Sequence, residues 1–180
     1  MSSTRIEEIQ RAFNYDAWAN ARLRSCLAAT DGDERELALW NHLAASKRIW
    51  LARVLGEDVD GQVVWPTLTV SVADGTLADA ETGWRSFLAD LPESELSRVV
   101  TFHNTLGEPQ ADALADILHH VPLHSAHHRG QLAALARSAG TPIASFDFIL
   151  FAREQNKPPG DSRKLPVSTG RARIPAARIP

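Results

Sequence analysis

Two histidines four residues apart, His124 and His128, lie in the stretch His124-Ser-Ala-His127-His128-Arg-Gly-Gln131, while His42 is the only histidine in the first hundred residues. In a helix, an i, i+4 pair leaves the same face, one ring a turn above the other. Two imidazoles so placed can reach one metal ion, but two ligands hold it weakly, so a third must come from elsewhere. His42 sits in Trp40-Asn-His-Leu-Ala-Ala-Ser-Lys-Arg-Ile-Trp50, which is itself strongly helical. The simplest arrangement is a three-histidine site shared between two helices, and it obliges the fold to bring those helices face to face.

Apolar periodicity supplies the helices. Residues 4–29 read as the first, with Ser3 or Thr4 as cap, Glu7 in capping-box position, and Ile6, Ile9, Phe13, Ala17, Asn20 and Leu27 near one stripe. Thr30-Asp-Gly-Asp-Glu is a turn, and Asp33 caps a second helix running to about Val54. Leu39, His42, Leu43, Ser46, Ile49, Trp50 and Val54 share its inward face. Residues 56–73 read as a long connection, since Pro66 argues against a central strand. A third helix is expected from Asp74 or Thr76 to about Leu91. Ser97–Phe102 suggests a short strand with Asn104-Thr-Leu-Gly107 as its turn, a hairpin ornament on a helical protein. A fourth helix should run from near Ala111 to Ala139, stopped by Gly140 and kinked at Pro122. Ser145–Gln155 suggests a short last helix with Phe146, Ile149 and Leu150 inward.

The domain reading is one helical body, residues 1–156, followed by a Pro- and Arg-rich tail, residues 157–180, expected to be dispensable for folding. Charge divides the same way. The tail holds six Lys or Arg against Asp161 alone, so it carries +5 and the remainder −8, giving the net −3. An acidic body argues against nucleic acid as the main partner. No apolar run is long enough to span a bilayer, which argues against a membrane. The N-terminus lacks an apolar signal core and Cys26 is the lone cysteine, so the expected compartment is the cytoplasm. Cys26 is read as packing, not as a nucleophile.

Five of the seven histidines fall between His119 and His128. His120, His124 and His128 form their own ladder of i, i+4 steps, so His120 is an alternative ligand to His124 or His42. His127 points away from His124 around the helix, which suits a hydrogen bond to a ligand ring, a contact to substrate, or simply a surface position. Gln131 lies one turn along the metal face and is placed to bond a ligand imidazole. His103 and His119 are read as ordinary surface histidines, and Arg129 as paired with a carboxylate or a neighbouring subunit. No Glu follows His124 as in His-Glu-x-x-His, so the general base of a zinc protease is missing.

The His124–Gln131 stretch, preceded by Leu118-His-His-Val121, resembles the signature of the DinB/YfiT-like proteins, damage-inducible metalloenzymes distinct from the polymerase of similar name. Phe13-Asn-Tyr-Asp-Ala-Trp-Ala-Asn20, Trp40–Trp50 and Asn104-Thr-Leu-Gly-Glu108 are similar to other parts of that family. The resemblance implies an all-α four-helix bundle, up-down-down-up, commonly a homodimer. It also implies a divalent metal, with Zn or Ni expected, on histidines matching His42, His124 and His128. Relatives with assigned activity include S-transferases using bacillithiol or mycothiol, and a maleylpyruvate isomerase dependent on mycothiol or glutathione. The resulting expectation is a thiol S-transferase or hydrolase acting on a small electrophile. The alternative is a non-catalytic metal-binding or stress-responsive bundle.

Overall fold

The computed structural model describes residues 4–27, 33–57, 59 and 61–156. The proposed tail and the turn before Asp33 lie outside the described residues. Within them the chain forms α1 (Arg5–Leu27), α2 (Glu34–Leu55), α3 (Val70–Ala89), β1 (Val99–His103), β2 (Pro109–Ala113), α4 (Leu114–Ser138) and α5 (Phe148–Gln155), with a 3₁₀ turn at Glu93–Ser97.

Side-chain caps set several boundaries. Thr4 and Glu7 form the reciprocal capping box, and the Asp33 carboxylate accepts the Arg35 N–H at the start of α2. α3 begins earlier than its sequence suggests, at Val70 instead of Asp74, because Thr69 caps it by accepting from Val72 N. The β-branched Val-Ser-Val run is therefore helical, a case of a cap and packing overriding propensity. α4 starts later than expected, at Leu114, because residues 109–113 pair with β1 in the register Val99↔Ala113 to His103↔Pro109. Asn104 closes that hairpin: its Oδ1 accepts from Leu106 N at 2.9 Å and Glu108 N at 3.0 Å, and Gly107 takes φ 76°. α4 runs unbroken through Pro122. α5 begins at Phe148, and it is Phe151 and Ala152 that turn inward, whereas Ile149 is exposed.

The bundle's direction pattern follows from its two apolar clusters. One gathers Ile9 and Phe13 of α1, Val54 of α2, Trp84 and Leu88 of α3, and Leu114 to Val121 of α4. The other gathers Leu23 and Leu27, Trp40 and Leu43, Ala73 and Leu77, and Leu132 to Ala136. Chain order shows that α1 and α4 run from the first cluster to the second, and α2 and α3 run back: up, down, down, up. α1 and α2 each pack against both α3 and α4. They therefore stand across the bundle diagonal from each other. α2 and α3 are parallel neighbours that approach closely at Gly83, where a Cβ would lie 2.4 Å from Leu51 Cδ2.

Two parallel helices in sequence need a connection that runs back along the bundle. α2 is about 33 Å long at 1.5 Å per residue, and residues 56–69 can span about 45 Å extended. That crossover must lie along α2, and it carries Val64 and Trp65 against His42.

Candidate metal centre

α2 and α4 are antiparallel neighbours, so His42 meets His124 and His128 across their shared groove. One ring nitrogen from each lies within 4.8 Å of the others. His42 and His128 are buried and His124 is partly so. The ring centroids are 5.2 Å apart for His42 and His124, 4.6 Å for His42 and His128, and 4.5 Å for His124 and His128. His42 Nε2 and His124 Nε2 are 3.1 Å apart. Two imidazole nitrogens on a tetrahedral zinc, each at ~2.0–2.1 Å, would be separated by about 3.3 Å. The cluster is already near the spacing an ion requires.

Oxygen acceptors fix two of the rings. The Val64 carbonyl lies 2.7 Å from His42 Nδ1 and can only accept, so that nitrogen carries the proton and Nε2 keeps the lone pair. Gln131 Oε1 lies 2.7 Å from His128 Nδ1 and sets the same tautomer there. Gln131 Nε2 in turn donates to His127 Nε2 at 3.2 Å. This outer ring of acceptors is the usual means of orienting metal-binding imidazoles. On the other side, the Trp65 indole stacks flat on His42, 3.9 Å between centroids and 9° between planes.

The electrostatics keep these rings neutral. His124 is pushed down to about 4, by burial first and then by the neighbouring His128, His42, His120 and His127. His42 is lowered by burial, which outweighs the opposing Val64 hydrogen bond. His128 is lowered by burial too, against the raising effect of Gln131. Neutral imidazole is the form that ligates metal, so protons compete weakly here near neutrality.

His120 takes neither ligand position in this cluster. Its ring stacks on His124 at 5.1 Å and meets the edge of Trp50 at 5.0 Å, with its pKa lowered by burial. His127 is exposed, and it approaches the group only through Gln131 and a 5.0 Å ring contact with His128. Arg129, the neighbour of His128, turns the opposite way into the bundle centre and pairs with Asp16. Sequence reasoning did not single out Val64 or Trp65. A backbone carbonyl carries no sequence signal, and the tryptophan sits in a stretch read only as a connection.

Beside the histidines lies a cleft of about 660 Å³, bounded by the crossover (Gln62, Val64, Trp65), by Ile49 and Arg53 of α2, and by the hairpin turn at His103–Thr105. Val64 and Trp65 thus belong to both the cleft and the histidine cluster. A volume of this size suits a small organic molecule.

The DinB family profile matches residues 6–161, most of the chain. No curated protein and no solved structure matches it.

Proposed function

The chain belongs to the DinB family, and from that premise we propose that it is a metal-dependent enzyme, a thiol S-transferase or hydrolase acting on small electrophilic molecules. The observation that carries the proposal is the convergence of three neutral imidazoles, within 4.8 Å of one another, beside an open cleft. His42, His124 and His128 are the residues that would hold a divalent ion, Zn or Ni first. Three nitrogen ligands leave a coordination position free, and an ion there lowers the pKa of a thiol or water to give a nucleophile at neutral pH.

The chain's own residues supply the rest. Val64 and Gln131 hold the two Nδ1 protons and so aim both Nε2 lone pairs inward. Trp65 shields one side of the site from water, and the cleft beyond it admits the second reactant. The reading extends to a low-molecular-weight thiol as co-substrate and to a homodimer as the working assembly. No described helix is long and apolar enough to cross a membrane.

The test is metal analysis of the purified chain, followed by a screen of low-molecular-weight thiols against small electrophiles. About one divalent ion per chain with metal-dependent turnover is expected. One ion per chain with no turnover across the screen favours the non-catalytic bundle, and no ion at all rejects both readings.

A further inference from the structure

Arg53 is a cation that the protein holds half-buried. Its guanidinium lies between two aromatic rings, 4.6 Å from the Trp50 centroid and 4.3 Å from Phe102. Nη2 donates to the His103 carbonyl at 3.1 Å, while Nε is buried with no acceptor. No carboxylate among the described residues forms an ion pair with it. Asp112 acts on it only from a distance and does not offset the loss of hydration. A half-buried charge with no ion-pair partner among the described residues is costly, and an incoming anion would offset that cost.

Its position says what that something is. Arg53 lines the same 660 Å³ cleft as Trp65, the ring stacked on His42. It also lies on the His42 stripe of α2, since eleven residues at 100° each return to within about 20° of the starting direction. The separation along the axis is about 16 Å, and since both side chains lean toward the helix N-terminus the lean changes it little. Trp50 and His120 bridge that gap, with Trp50 against Arg53 on one side and His120 stacked on His124 on the other.

We propose that Arg53 is the anion-recognising residue of this cleft, so that the substrate class is a small carboxylate with an apolar body. The inference rests on the proposed metal-dependent function only for the reactive end; the anion site stands on Arg53 and the cleft. A guanidinium held by two rings offers a carboxylate a fixed planar partner, which a lysine would not.

The experiment uses 3-phenylpropionate and its neutral amide, 3-phenylpropanamide, titrated calorimetrically into the full chain with and without bound zinc. The metal-free arm separates a carboxylate on Arg53 from one on the metal. Expected is at least a tenfold preference for the carboxylate in both forms, lost in Arg53→Gln and only partly kept in Arg53→Lys, with zinc content unchanged. Equal binding of the two probes, no binding of either, a preference that survives Arg53→Gln, or one that vanishes with the zinc each overturns the inference. If Arg53→Gln does not fold, judged by circular dichroism, the wild-type metal-free comparison and Arg53→Lys decide it. A chain that selects the carboxylate through Arg53 yet binds no metal would sink the proposed function and leave this anion site standing. A chain that binds metal and turns over substrate without that preference does the reverse.

Discussion

Two polar clusters lie at the same level of the bundle, and they are built on opposite plans. At the centre, between the two apolar clusters, Asp16 of α1 takes both Lys47 Nζ at 2.5 Å and Arg129 Nη1. Glu81 of α3 stands 3.4 Å from Lys47 and accepts from Asn20 at 2.9 Å, so all four helices contribute and the formal charges cancel. Asn20 Oδ1 takes a further bond from Arg129, and the Tyr15 ring lies over the remaining guanidinium. In the groove between α2 and α4, by contrast, three imidazoles aim at one another with no charge between them. The central cluster balances its formal charges among the described residues, although Arg129 Nε and Nη2 are buried without an acceptor. The groove cluster turns the Nε2 lone pairs of His42 and His128 toward His124, whose Nε2 lies 3.1 Å from that of His42, an arrangement that a cation would satisfy at all three rings. One set of polar residues serves the fold, and the other is a group that could hold a metal ion.

The comparison breaks first, if it breaks, at Asp16. Asp16→Ala strands two buried cations, Lys47 and Arg129, and should cost about 3–5 kcal/mol by urea unfolding, enough to unfold a marginal domain. Metal binding should disappear only to the extent that folding does. A loss under about 1 kcal/mol would mean that the central ion group does not organise the four helices.

His128→Ala is the mirror experiment. It should reduce zinc affinity by more than ~100-fold, beyond what loss of an orienting partner causes, because two imidazoles cannot enclose the ion. The metal-free chain should meanwhile lose less stability than Asp16→Ala does, since the ring contact with His42 is lost but no buried charge is stranded. His119→Ala is the control, since an exposed residue outside the cluster should change neither. Should the metal-free His128→Ala chain prove as unstable as Asp16→Ala, the two clusters are not separable.

This division was unevenly legible in the sequence. The histidine cluster announced itself because an i, i+4 pair and a solitary inward histidine obey helical geometry, and α2 and α4 hold regular helices around them. The bundle and hairpin were legible for the same reason, whereas the start of α3 was hidden by β-branched residues that Thr69 caps into helix. The central ion group was mostly invisible. Asn20 reads as part of an inward stripe and Arg129 as paired with a carboxylate, as Asp16 bears out, but Asp16 and Lys47 look like ordinary helix-surface charges until the diagonal packing of α1 and α2 places them together. Arg53 was silent likewise, because its isolation depends on Trp50 and Phe102 coming from different parts of the chain.

Within the groove cluster the comparison can be sharpened at the outer partners. Gln131→Ala removes the acceptor that fixes the His128 tautomer and should weaken zinc binding by ~10–100-fold. His127→Ala removes only the far end of that chain, through Gln131, and should stay near the lower limit or below it. The ratio of the two affinities, measured by competition with a chelator, is the readout. Equal losses would place His127 on the metal directly and displace the assignment of His128.

The smallest expected effect is that of pH, and its smallness is the point. Three imidazoles with an ordinary pKa of about 6.5 would each be about ten-to-one protonated at pH 5.5, lowering metal affinity by roughly a thousandfold in total. In the folded chain all three are shifted down, His124 to about 4, with burial the leading cause in each. Zinc affinity should therefore fall by clearly less than that thousandfold between pH 7.5 and 5.5, with His124 contributing its share only as pH approaches 4. The sign for the metal-free fold follows from the same shifts. Below about 6.5 the unfolded chain binds protons that the folded rings refuse, so this contribution to stability is intact above that value and is lost as pH falls toward 4. The central ion group has no such imidazoles, so histidine-linked acid sensitivity should track the groove: His124→Ala should flatten the stability profile between pH 6.5 and 4. A profile unchanged by that substitution would show that the rings titrate as in water and that the groove is not the desolvated site its geometry indicates.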